Sequence, residues 1–445
     1  MQLTTLGHAA AFLRLDSGAT LLLDPWLEDP AYFNSWWHFP PLRKRIADLG
    51  AIDGVYLSHD HPDHCDPKTL VQLPKNTEFL VPSFRSDSPD RILRGLGFTR
   101  IRRMEFRAPF EWRGATLECW RTDLPWDDSS LFVTDGGTTI YDMNDCKLND
   151  DTLDDLGRSK KIDMALLPYS GAIQFPTCYE MPAQTKLDLC AKRRAEHTAL
   201  FVDRARRLRA RHAVPFAAGY CLPSPEQWWM NDINNINSPA QAKAALEAAR
   251  PAAHDGKPIA CLDMNPGDRW DPERGLERDA PPPDWSRHFE AVREHARAIA
   301  PAVAAARARE ENPEPGLDAR FVERFGKLLA ERRELAEQAN IRVAFDVRGA
   351  QGFLGFVDAA ARPPIVGLGR IAEPNLEIRI PSPMLDAVLA GRVTWDEILI
   401  SFRLWFRESP PNYNEAWWAL LHSSNRLDPE TYLSKPRAAS ERAVR

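Results

Sequence analysis

The chain has 445 residues, 44% of them hydrophobic and 27% charged, enough for two or three domains with cores of their own. A net charge of −6 at pH 7 offers no polycationic surface to nucleic acid, and no apolar run approaches the ~18 residues of a membrane-spanning helix. The opening Met-Gln-Leu-Thr-Thr-Leu lacks a basic segment followed by an apolar one. The seven cysteines contain no Cys-x-x-Cys pair and no disulfide framework, so the composition is that of a cytoplasmic protein with reduced thiols.

In chain order, Leu6-Gly7-His8-Ala9 leads into alternating Phe12, Leu13 and Leu15, a turn at Asp16-Ser17-Gly18, and then Thr20 to Trp26. That pattern predicts two short strands around a Gly-containing turn. The apolar run 52–57 predicts a buried strand. Further strands are predicted at 78–82, 116–120, 130–134, 139–142 and 164–168, and a helix rich in Ala, Arg and Leu at 185–211. Short apolar runs alternating with turns and helices over 1–265 suit a layered α/β domain. Over 266–340 the composition shifts to Pro, Arg, Glu and Ala, with Pro281-Pro282-Pro283 as a stiff break. This reads as a linker with helices, and the helical stretch 285–310 is expected to be kinked or divided at Pro301. Strands at 342–360 and 376–381 and helices at 384–390 and 395–406 predict a smaller C-terminal α+β domain over 341–434. The second of those helices opens on the start signal Thr394-Trp395-Asp396-Glu397. The basic, Ala/Ser-rich tail 435–445 is expected to be disordered.

One stretch outweighs the rest. Residues 58–66 read Ser-His-Asp-His-Pro-Asp-His-Cys-Asp, directly after the strand at 52–57. His59, His61, Asp63 and His64 are four potential ligands within six residues at the mouth of a strand, able to reach two adjacent metal ions. Imidazole with carboxylate suits zinc, iron or manganese rather than a soft thiolate metal. Only 11 histidines occur in the chain, so three in six positions reads as a metal site rather than a polar loop.

The spacing His-x-His-x-Asp-His resembles the signature of the metallo-β-lactamase superfamily, and implies an αββα sandwich. Within the lactonase-like and phospholipase-D-like branches, a similar Gly-His and Asp-Pro lie near the metals. This makes His8 and Asp24 either ligands or residues that hold ligands; a turn histidine and a strand-end cap are the bland alternatives. Asp145, at a strand end after the Gly136-Gly137 turn, matches the superfamily's bridging carboxylate, with Asp142 as the alternative. Cys146 reads as a small buried thiol. The superfamily also expects imidazoles before Asp145 and in the Pro215 region. Here the first region reads Trp126-Asp127-Asp128-Ser129 and the second Pro215-Phe216-Ala217-Ala218-Gly219-Tyr220, without histidine. His212 reads as the end of the basic helix. Asp127 or Asp128 can replace one missing imidazole with oxygen, which moves the preference from zinc towards iron or manganese; a solvated acidic loop is the alternative.

Several stretches resemble the CMP-N-acetylneuraminate hydroxylase branch in collinear order. They are Asp24-Pro25-Trp26-Leu27 with Trp36-Trp37, Leu57-Ser58-His59, Asp128-Ser129-Ser130, Tyr169-Ser170-Gly171-Ala172 with Phe175-Pro176, Pro215 to Tyr220, Asn265-Pro266-Gly267-Asp268, and Trp395-Asp396-Glu397 with Trp417-Trp418. That branch implies an oxygenase with one or two iron ions, hydroxylating a small-molecule substrate. The branch also carries a Rieske iron–sulfur domain needing two Cys and two His. The chain opens on the metallo-β-lactamase-like strands with no Cys before Cys65, so the expected electron source is a separate ferredoxin or Rieske-type protein. Trp26, Trp36, Trp37 and Trp126 are candidates to line the pocket. The alternative expectation is a hydrolase of a phosphodiester, lactone or acyl substrate, in which zinc or manganese activates water and Asp63 or His8 manages protons.

Overall fold

The computed structural model describes residues 1–124, 126–233, 236–409 and 413–423. The chain divides into two compact units, one of residues 1–172 and 190–301, the other of 173–189 and 302–445. The tail predicted at 435–445 lies outside the described residues. Among the described residues, no helix is long and apolar enough to cross a membrane.

The first unit is an αββα sandwich. One sheet has eight strands, and its centre runs Gln2–Gly7, Ala10–Arg14, Thr20–Leu23, Gly54–Tyr56 and Glu78–Pro82. The other has seven, with Ala115–Arg121, Ser129–Asp135, Thr138–Asp142, Met164–Pro168 and His212–Phe216 as consecutive neighbours. Strand alternation separates the layers. Leu13, Leu21, Leu23 and Tyr56 of the first sheet share one core with Leu117, Leu131, Val133 and Leu166 of the second. Phe12, Leu22 and Val55, one residue out of phase, face away and pack with Leu70 and Leu93 of two helices. On the other side Phe132, Ala165 and Leu167 pack with Leu153, Phe201 and Leu246, each from a different helix. Apolar residues on both faces are what two helix-covered sheets require.

The strands that matter for function are parallel within each sheet. Thr20–Leu23 pairs parallel with Gly54–Tyr56. In the other sheet Thr138–Asp142, Met164–Pro168 and His212–Phe216 run parallel. Their carboxyl ends carry Asp24, Ser58-His59, Asn144-Asp145, Tyr169-Ser170-Gly171 and Ala217 to Tyr220. Ligand sites of open α/β sheets lie at such ends.

Several predicted elements differ. His212 opens a strand instead of ending the helix. The helix Ala183–Leu208 stops where Arg209 takes φ 53°. Residues 266–277, inside the expected linker, form two strands, Arg269–Asp271 and Gly275–Glu277, that extend the first sheet beside Gln2–Gly7. The helix His288–Ala308 runs through Pro301 without a break, because good helix formers flank the one lost backbone bond on both sides.

The second unit contains a five-stranded sheet ordered Ile365–Leu368, Phe353–Asp358, Arg342–Arg348, Leu376–Pro381, Trp405–Glu408. Phe321 and Phe325 of the helix Leu317–Glu331 meet Phe345 at ring distances of 5.1 and 5.3 Å. The helix expected at 395–406 ends at Ile400. Phe402 turns to φ 55°, and the remaining residues pair with Leu376–Pro381 as an edge strand. Ladder pairing thus overrides the local helical signal.

Candidate metal centre

The loop after Gly54–Tyr56 is pinned before it reaches any ligand. Asp24 Oδ1 accepts from the Ser58 backbone N–H at 2.7 Å, and Asp24 Oδ2 accepts from the Ser58 hydroxyl at 2.6 Å. Asp24 Oδ2 also lies 3.0 Å from His64 Nδ1. A carboxylate on Nδ1 places that proton there and leaves Nε2 as the lone-pair nitrogen, the usual way a ligating imidazole is oriented. Asp24 is wholly buried and at φ 42°, a left-handed conformation that Asp tolerates better than most residues.

His64 Nε2 is buried and makes no hydrogen bond, yet it lies 3.7 Å from Asp63 Oδ2 and 3.6 Å from Asp145 Oδ2. Two donor groups converge on it. His8, Asp63 and His64 form one; His59, His64 and Asp145 form the other, with the donor atoms of each within 4.8 Å of one another. His8 Nε2 stands 3.0 Å from Asp63 Oδ2. His61 Nδ1 is 2.9 Å from His59 Nε2, two nitrogens too close for anything but a shared proton or a shared partner.

Asp128 joins the cluster and Asp127 does not. Asp128 is buried, and its Oδ1 is 3.4 Å from His59 Nδ1. The Asp127 carboxylate is taken by Arg121 at 2.8 Å and by the Ser86 backbone N–H at 2.7 Å. The structure thus engages Asp127 with a neighbouring guanidinium rather than bringing it to the cluster. Asp142 caps the turn instead, accepting from the Asn144 backbone N–H at 3.0 Å. Cys146 is buried, and burial pushes its thiol well up, so it stays a thiol. His212 is elsewhere, with Nδ1 2.9 Å from the Asp163 carbonyl.

The electrostatics ask for positive charge. Burial and the neighbouring Asp145 raise the Asp128 carboxyl well above its ordinary range. Burial and Asp24 do the same to Asp142. Burial alone would raise Asp63, but His64, His8 and His61 outweigh it and hold that carboxyl well down. Burial opposes charge on His64, yet Asp63, Asp145 and Asp24 raise it well above the ordinary imidazole range. Burial and the His64 and His61 rings depress His59. Buried carboxylates competing for one proton on His64 are a site suited to a cation of higher charge. The orphaned Nε2 lone pairs, the carboxylates and the imidazole–carboxylate donor set fit a metal ion of the iron, manganese or zinc group.

Among the contributors, Tyr32 and Tyr56 carry no signal in their local sequence. Tyr32 donates to Asp63 Oδ1 from a loop in which Tyr32, Phe33 and Asn34 all have positive φ, 45°, 53° and 59°. Ser129 Oγ donates to the Ser58 carbonyl at 2.8 Å and shares 2.8 Å with Tyr56 Oη, tying the two sheets together below the centre. Trp26 and Trp36 lie 5.4 and 5.9 Å from the His8 ring. Tyr220 stacks on Trp36 at 3.6 Å. Gly219 lets its segment pass close to His8, since a Cβ there would stand 3.1 Å from the His8 backbone nitrogen. Trp37 is set in a short strand pair with Cys221, and Trp126 has Lys147 Nζ 5.8 Å over its ring. Of the four expected tryptophans, these ring contacts put Trp26 and Trp36 beside His8. Asp145, 41% exposed, marks an open side.

The model of the beta-lactamase superfamily domain matches residues 2–192. The "Putative Rieske 2Fe-2S iron-sulfur protein Rv3818" of Mycobacterium tuberculosis is 35% identical over 249 residues, covering 52% of this chain and 46% of that protein. The cytidine monophosphate-N-acetylneuraminic acid hydroxylase of Mus musculus is 27% identical over 258 residues, covering 54% and 43% respectively. The chain thus spans about half the length of the curated relatives it matches. Among solved structures, CmlA, a diiron β-hydroxylase from Streptomyces venezuelae, aligns with 18% identity and a TM-score of 0.42 over 62% of this chain and 54% of that one.

Proposed function

We propose that this chain, whose residues 2–192 match the beta-lactamase superfamily domain, is a metal-dependent oxygenase. In this reading it holds one or two non-haem iron ions, hydroxylates a small-molecule substrate, and takes electrons from a separate Rieske- or ferredoxin-type donor. The observation that carries the reading is the donor set around His64. It combines imidazoles with Asp63 and Asp145, and Asp128 lies against His59; among the described residues neither donor group contains a thiolate. Carboxylate in place of imidazole in such a set moves the preference towards iron or manganese. The resemblance to a hydroxylase and to proteins named for Rieske clusters supports the same direction.

Bound iron would supply the O2 chemistry; the chain's own residues position and protect. His59, His61, His64, Asp63, Asp145 and Asp128, with His8, would hold the metal. Asp24 fixes the His64 ring through Nδ1. Tyr32 fixes Asp63 through one oxygen, leaving the other towards His8 and His64. His8 Nε2, 3.0 Å from that second oxygen, can hold or release a proton beside the centre. Trp26, Trp36 and Tyr220 exclude water on the His8 side.

A hydrolase is the second reading, favoured by the same His8–Asp63 pair, which is placed to manage a proton of attacking water. Oxygen-18 labelling separates the two. The expected result is turnover that needs O2 and an external reductant, with label from O2 in the product. Anaerobic turnover with label from water alone would overturn the oxygenase reading.

A further inference from the structure

The helix Ala183–Leu208 buries the wrong side chains for a helix that only packs. Its inward positions recur at helical spacing: Cys190, Phe201, Ala205 and Leu208 are buried. Between and beside them on the same face fall Arg193, His197 and Arg204, separated by four and seven residues, and so within about 40° of one another around the axis. None of the three is exposed, whereas Leu200 on the same helix is 44% exposed. A packing helix would exchange these positions.

The polar stripe points at one place. A Cβ on Gly171 would lie 2.2 Å from His197 Nε2, so the imidazole rests directly on the backbone of the Tyr169-Ser170-Gly171 turn. That turn leaves the strand Met164–Pro168, the neighbour of the strand that delivers Asp145. Asn237 fastens the turn to the helix by donating to the Tyr169 and Arg194 carbonyls, both at 3.0 Å. Arg204 has one hydrogen bond among the described residues, to the Pro168 carbonyl at 3.4 Å, and no carboxylate within ion-pair distance. The charges that face it are Asp145 and, on its own helix, Asp203, which Arg206 and Arg207 already bind. Glu196, one turn on along the same helix, acts on Arg193. Lys147, two residues from Asp145, completes a set of cations around His197. Burial and these three cations push His197 down to about 4, so the imidazole stays neutral and can still donate one hydrogen bond.

We propose that Arg193, His197 and Arg204, with Lys147 and the Tyr169-Ser170-Gly171 turn, form a binding site for an anionic group, phosphate or carboxylate, of the substrate beside the metal centre. Arg204, held in a largely buried place with no carboxylate in ion-pair distance among the described residues, is costly unless a ligand anion completes it. The turn keeps Gly171 because any side chain would displace the imidazole. The role as a substrate site rests on the metal reading above; anion binding itself does not.

The test is calorimetric titration of the full chain with inorganic phosphate and, separately, with malonate, in chelated and iron-loaded forms. Binding of at least one anion is expected in both forms, weakened tenfold or more by Arg204→Gln and several-fold by Arg193→Gln. The second variant decides if the first does not fold, since Arg193 sits three turns nearer the helix start. Binding that disappears on chelation and is indifferent to both variants would place the anion on the metal and overturn the proposal, as would no binding of either anion. Metal content measured on the same samples reports separately on the metal reading.

Discussion

The phenol of Tyr32 donates its hydrogen bond to Asp63 Oδ1, while His8 Nε2 stands 3.0 Å from Asp63 Oδ2. The two oxygens of one carboxylate are thus divided between a residue that orients it and the space where ligands converge. Three successive left-handed residues, 32–34, deliver that phenol, a conformation that costs of order 1 kcal/mol or more per residue. Trp36 holds the turn in place through the Tyr32 ring at 4.7 Å.

Tyr32→Phe keeps the ring contact and removes the hydrogen bond. Metal affinity should fall by about 10- to 100-fold, as for other residues that orient ligands, with the melting temperature of the metal-free protein little changed. Competitive chelator titration measures this. Unchanged affinity would mean that Asp63 is held by the metal alone.

His64 belongs to both donor groups and His59 to one. His64→Ala should therefore abolish metal binding, whereas His59→Ala should leave residual metal on the His8–Asp63 side. Elemental analysis of the two purified variants distinguishes them, and equal loss would contradict a shared central ligand.

Asp145→Asn keeps shape and removes charge. The expected outcome is loss of one ion from a two-ion centre, or a large drop in affinity for a single ion, with the circular dichroism spectrum intact. Full stoichiometry with full activity would remove Asp145 from the ligand set.

Asp128 and Asp127 should separate cleanly. Asp128→His puts nitrogen where the chain has oxygen and should shift selectivity from iron towards zinc. Asp127→Asn should leave metal selectivity alone and loosen only its tie to Arg121 and Ser86. A selectivity change from Asp127→Asn and none from Asp128→His would reverse the assignment.

His288 predicts a pH dependence. It lies against Phe39 and Trp285, at ring distances of 5.7 and 5.6 Å, and burial lowers it to about 4 from 6.5. The unfolded chain takes up this proton as pH falls through about 6.5, and the folded chain resists until near 4. Stability is thus fully present above that range and declines on acidification between the two values, by at most about 3 kcal/mol from this group. His288→Gln should flatten that part of the urea-midpoint profile; an unaltered slope between pH 6.5 and 4 would show that His288 is solvated.

The His/Asp run 59–64 was legible in sequence as a candidate site because its members are local: one loop after one strand carries four of them, and composition makes the cluster improbable by chance. The layered α/β fold was legible for a similar reason, since strands such as 78–82 and 164–168 announce themselves by apolar runs bounded by turns. Asp145 and His8 were nameable only through resemblance, and the choice between Asp127 and Asp128 was open. Tertiary structure separates the two: Arg121 pairs with one carboxylate, while the other is buried beside His59. It also decided Tyr32, whose role depends on a left-handed turn that no propensity favours, and the inward face of the helix carrying Arg193, His197 and Arg204, which composition reads only as basic. Local sequence records what a residue can do within its own turn or strand. Which charge meets which partner across 30 to 140 residues depends on sheet register and on the cost of burying an unpaired charge.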